Sequence, residues 1–91
     1  MLHNKTLKHL NIFNNIIGYD GAKAFAEALK VNNTIEFIEL GHNRIRNKGL
    51  HILADALASN QSSNLRVLGL RFNFLTEEGV IHFLRVVLSG K

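Results

Sequence analysis

The sequence contains no cysteine. A small secreted domain usually leans on disulfides, so their absence favours a reducing setting and predicts a cytoplasmic protein. It also excludes thiolate zinc sites and a cysteine nucleophile. No apolar run approaches the roughly 18–20 residues that a membrane span needs. The segment Met1-Leu2-His3-Asn4-Lys5-Thr6 lacks the apolar stretch of a signal peptide. No serine sits in a Gly-x-Ser-x-Gly turn, and no glycine loop is built to cradle phosphate. The five histidines (His3, His9, His42, His51 and His82) include no pair at i, i+4. No catalytic residue, metal site or cofactor is therefore expected. With 11 basic and 7 acidic residues the net charge is +4. That excess mildly favours an acidic partner but falls short of the dense basic stripe of a nucleic-acid binder.

What remains is ordinary globular composition in a chain of 91 residues, which is at most one small domain. Its organisation is a repeat. Leu7, Leu10, Ile12, Asn15 and Ile17 recur 28 residues later as Ile35, Ile38, Leu40, Asn43 and Ile45. After a further 30 they recur as Leu65, Leu68, Leu70, Asn73 and Leu75. The columns continue through Gly21, Gly49 and Gly79, then Ala22, Leu50 and Val80. Phe25, Leu53 and Phe83 follow, then Ala26, Ala54 and Leu84, and finally Leu29, Leu57 and Val87.

Each unit changes period halfway. Apolar residues two apart, such as Leu10 and Ile12, are strand spacing; Ala22, Phe25, Ala26 and Leu29 mark one helical face. Each repeat therefore reads as a short strand, a turn and a helix of about three turns. The asparagine column suits a turn, because an inward amide can satisfy backbone groups that a tight strand exit leaves unpaired. Thr76 is the expected N-cap of the third helix, with Glu77 and Glu78 in its first turn. Gly18 and Arg46 hold that column in the other repeats, where the caps are less clear.

The pattern L-x-x-L-x-L-x-x-N-x-L, followed by a helix opened by glycine, resembles the ribonuclease-inhibitor-like subclass of leucine-rich repeats. The resemblance runs from Leu7 to Leu88. It implies an α/β solenoid, a right-handed β-α superhelix with parallel strands on the concave face and helices on the convex face. It also implies a protein-protein interaction module or scaffold that is not an enzyme. Similar repeats occur in cytosolic immune receptors, ciliary proteins and bacterial effectors. A GTPase-activating regulator, built in one instance on the same subclass, and a purely structural subunit segment are the alternatives.

The expected units are 7–34, 35–64 and 65–91, with residues 1–6 the end of a preceding repeat or a vestigial cap. Neither end carries a visible capping unit, which predicts a longer array or ends covered by a partner. On the strand face, Phe13, Phe37 and Phe72 among Glu39 and Arg71 read as aromatic anchors with polar neighbours, a protein-binding surface. The same rings would also fit a fold over the strand edge into the turn core. Arg44, Arg46 and Lys48 cluster beside Arg71, where an acidic patch of another protein can dock, although a solvated turn is the better account of them. Nucleic acid is not expected, because the basic residues do not align across the three repeats. Ile81, Val86 and Leu88 lie outside the inward columns of the last helix and read as a stacking face. Asn4-Lys5-Thr6, Asn32-Asn33-Thr34 and Asn60-Gln61-Ser62 are glycosylation sequons in form, but share one repeat column that structure explains better.

Overall fold

The computed structural model describes residues 6–60 and 62–89. The expectation for residues 1–6 therefore lies outside the described residues except at Thr6, as do Asn4, Lys5 and Gln61 of the sequons. Three strand-helix pairs follow one another. They are β1 (His9–Asn11) with α1 (Gly18–Leu29), β2 (Phe37–Glu39) with α2 (Arg46–Ser59), and β3 (Val67–Gly69) with α3 (Glu77–Ser89). The strands form one parallel sheet in the order β1-β2-β3. Leu10 pairs with Ile38 and Ile38 with Leu68, so the sheet register equals the sequence offsets of the repeat.

Alternation along each strand turns Leu10, Ile38 and Leu68 toward the helices, where they join the apolar core. The side chains of Leu29, Ile35, Ile38, Leu40, Ile45, Leu50 and Leu53 are fully buried. Nearly all of these belong to the middle repeat, which is covered on both sides. Each contributes roughly 1.5–3 kcal/mol by leaving water. Matching positions at either end, such as Ile12 and Leu70, are half-buried. The helices approach closely at the glycine column: a Cβ on Gly49 would meet Ala22 at 3.1 Å, and one on Gly79 would meet the side chain of Asn47.

The turns are held by asparagine. Asn43 lies inside, where its Oδ1 accepts the backbone N–H groups of Asn15 (2.9 Å) and Ile17 (3.3 Å). Its Nδ2 donates to the carbonyls of Ile12, Leu40 and Gly41. Asn73 repeats the arrangement one unit on, accepting from Asn43 and Ile45 and donating to Leu40, Leu70 and Arg71. Each amide thus satisfies its own turn and staples it to the preceding one. The sequon column is structural as well: buried Asn60 donates both amide protons, to Leu29 (2.7 Å) and Asn32 (3.0 Å). That nitrogen is not available to a sugar.

The helix starts resolve the uncertain caps. Neither α1 nor α2 has a side-chain cap. Instead Gly18 N–H donates to the Asn43 carbonyl and Arg46 N–H to the Asn73 carbonyl, each at 2.8 Å, so the next repeat does the capping. In α3 the expected Thr76 cap is present, with Gly79 N–H donating to its Oγ1 at 3.3 Å. Asn47 grips Thr76 from the neighbouring helix, donating to Oγ1 (2.7 Å) and accepting its N–H (3.1 Å).

Two residues of α3 differ from their expected burial. Val80 and Leu84 share columns with residues that are buried in α1 and α2, yet are 41% and 48% exposed. Burial in this column comes from the helix that follows, and no described helix follows α3.

Candidate functional site

Beyond each strand the backbone turns left-handed at two alternate positions. The first set is Asn14, His42 and Phe72, with φ of 64°, 58° and 59°. The second is Ile16, Arg44 and Phe74, with φ of 53°, 56° and 58°. Gly18 and Arg46 continue the pattern at 61° and 62°. Between the two sets stand Asn15, Asn43 and Asn73, whose amides face inward in the second and third turns. The geometry therefore projects the flanking side chains away from the core. Left-handed backbone costs an ordinary L-residue roughly 1–2 kcal/mol and favours glycine or asparagine. Only Asn14 and Gly18 are residues of that kind here.

The projecting rings meet. Phe13 and His42 have centroids 5.5 Å apart, and His42 and Phe72 5.0 Å, so three successive turns share one aromatic run. The Arg71 guanidinium sits 5.7 Å from the Phe13 centroid and 5.9 Å from that of Phe72. Cations lie over two neighbouring rings as well, Arg46 over Phe74 at 5.1 Å and Lys48 over Tyr19 at 4.8 Å. Such contacts fix a long cation against a ring while its charge stays in water. Phe13 rests against Gly41, where an added Cβ would lie 2.8 Å from its ring, so glycine keeps that seat open.

Of the expected anchors, Phe13, Arg71 and Phe72 come together around His42. Phe37 takes another place: half-buried, it pairs with His9 at 5.6 Å. Glu39 curls back to accept the N–H of Gly41 (2.8 Å), with its carboxylate lying over Gly69. Lys8 and Glu36 form an exposed ion pair beside it at 3.5 Å.

His42 and Phe74 were missed as site residues. Their columns read Asn, His, Phe and Ile, Arg, Phe, and nothing in that variety signals a left-handed turn. A groove of about 420 Å³ runs between these columns, lined by Asn14, Ile16, His42, Arg44, Phe72 and Phe74.

On the helix side, Ile81 and Leu88 are exposed, together with Leu84, while Val86 is half-buried. Ile81, Leu84 and Leu88 line a shallow apolar depression with Arg85. His51 and His82, distant in sequence, meet across α2 and α3 with ring centroids 4.0 Å apart and planes tilted by 42°. Among the described residues no group of three histidines or carboxylates is placed to hold a metal ion. No described helix is long and apolar enough to cross a membrane.

The leucine-rich repeat family model matches residues 3–26 and 31–54, two consecutive units and more than half of the chain. No curated protein matches it.

Proposed function

Because the chain belongs to the leucine-rich repeat family, we propose that it is a protein-protein interaction module whose contact surface lies on the outer strand face and the turns beside it. Repeats of this family typically serve as binding scaffolds and not as enzymes. The observation that carries the reading is the aromatic run Phe13–His42–Phe72 with Arg71 against both phenylalanines. Aromatic and arginine side chains are the groups that most often dominate binding energy, and here they are exposed, preorganised and contiguous. Phe37 and Glu39 extend the surface along β2. The neighbouring Arg44, Arg46 and Lys48 suit a partner with an acidic patch.

Within this reading the repeats are of the ribonuclease-inhibitor-like subclass, stacked as a solenoid from units 7–34, 35–64 and 65–91, and they work in the cytoplasm. The offsets of 28 and 30 residues and a full helix in every unit support the subclass. The exposed Ile81, Leu84 and Leu88, with Val86 at the margin, are a stacking face for a further unit or a partner subunit.

Alanine substitution tests the surface. Replacing Phe13, Arg71 and Phe72 together should abolish binding to proteins that co-purify with the wild-type chain, while the circular dichroism spectrum stays unchanged. If every such partner is retained, the surface is elsewhere.

A further inference from the structure

We propose that the groove between the two left-handed columns binds an extended acidic peptide segment that inserts an apolar side chain between Phe72, Phe74 and Ile16. This deepens the reading of the chain as a binding module and rests on it.

The first argument is the choice of residues. The left-handed conformation recurs in the first column in all three repeats and again in the second, so the fold imposes it. The fold does not impose histidine, arginine, isoleucine or phenylalanine there; glycine or asparagine would meet the same φ at lower cost. The core does not ask for them either, since Ile16, Phe72 and Phe74 are each about three-fifths exposed. Large apolar side chains that satisfy neither backbone nor core are left with a role at the surface.

The second argument is space and charge. The groove of about 420 Å³ falls within the roughly 300–1,000 Å³ usual for binding clefts. Its lining includes Arg44 and no carboxylate, and Arg46 and Arg71 stand on Phe74 and Phe72 beside it. The nearby Glu39 is turned away onto Gly41 N–H. An acidic segment is complementary to this rim.

The third argument separates peptide from nucleic acid. A single strand needs a continuous basic track beside its stacking rings. The cations fail to form one, because the columns of Arg44 and Arg46 hold Ile16 and Gly18 in the first repeat. The guanidinium groups of Arg46 and Arg71, beside Phe74 and Phe72, supply N–H donors suited to bidentate carboxylate binding.

The test uses the full chain, isotope-labelled for amide NMR. The probes are a short peptide with one leucine among glutamates, its serine analogue, and a single-stranded oligothymidylate. The leucine peptide should shift the amides of His42, Arg44, Phe72 and Phe74. Its affinity should fall roughly tenfold in the serine analogue, and by a similar factor in Phe72→Gly and Phe74→Gly. Both glycine variants should melt no lower than the wild type, and Val31→Ala, an exposed apolar change on another part of the surface, should bind normally. Tighter binding of the oligothymidylate, shifts centred away from the groove, or no saturable binding of the leucine peptide would overturn the proposal. So would destabilised glycine variants, which would make the rings part of the fold. The peptide-binding results leave the wider interaction reading untouched, since that stands or falls on partner loss in the Phe13, Arg71 and Phe72 variant.

Discussion

Asn73 is 1% exposed, while its neighbours Phe72 and Phe74 are 64% and 63% exposed. The same alternation runs through the second turn, where Asn43 is buried between exposed His42 and Arg44. The inner position is asparagine in every repeat; the outer positions are different residues in almost every repeat. One turn thus does two jobs. Its inner amide spans two repeats, accepting backbone N–H groups and donating to backbone carbonyls of both. Its outer side chains hold a costly backbone conformation without joining the core. The contrast separates what the fold requires from what the surface offers.

The largest effect should come from breaking the inner side. Asn43→Ala removes five side-chain hydrogen bonds and leaves the Asn15 and Ile17 N–H groups without their acceptor, while the three carbonyls keep other donors. At about 1–3 kcal/mol for each buried group left unsatisfied, with partial relief by water, a loss of roughly 3–5 kcal/mol is expected. In a chain this small that should appear as a collapsed urea transition. Asn15→Ala sharpens the point, because the exposed Asn15 side chain donates to the Ile12 and Phe13 carbonyls of its own turn and its backbone bond to Asn43 would survive. It should cost under about 1 kcal/mol.

An intermediate effect is expected at the last helix, which depends on its own cap. Thr76→Ala removes the acceptor for Gly79 N–H and the partner of Asn47, for a loss of about 1–2 kcal/mol by chemical denaturation. Gly41→Ala should cost about 1 kcal/mol, since the new methyl meets the Phe13 ring and the Glu39 carboxylate, both side chains at the surface side of the turn that can shift. Its clearer sign would be a changed His42 ring environment in the proton NMR spectrum, as Phe13 is pushed from its seat.

Much of this was legible in the sequence, for a physical reason. Features repeated in three copies are the ones every unit needs, so the strand-helix alternation, the asparagine column and the parallel register all appear as matched columns. The Thr76 cap was also legible, because capping is local chemistry. Burial in α3 was not: Val80 and Leu84 belong to the same columns as Leu50 and Ala54, and only the presence of a following helix separates them. The candidate site was half legible. Phe13, Arg71 and Phe72 could be picked out as exposed aromatic and basic residues, but the central His42 could not. Its role depends on left-handed backbone that asparagine or glycine would have announced and histidine conceals. Phe37 and His9 share one repeat column, 28 residues apart, so their pairing follows from the repeat offset once the strands lie parallel.

The smallest stability effect is the most informative. The Phe72→Gly, Phe74→Gly double variant removes two large side chains and relieves two left-handed residues. The glycine gain is offset by the extra freedom of the unfolded chain, about 0.4–1 kcal/mol per site. Urea denaturation should therefore give a midpoint equal to or slightly above that of the wild type, with an unchanged slope. A midpoint lowered by the equivalent of more than about 1 kcal/mol would mean that the outer rings hold the fold together, and would contradict the division between inner and outer positions.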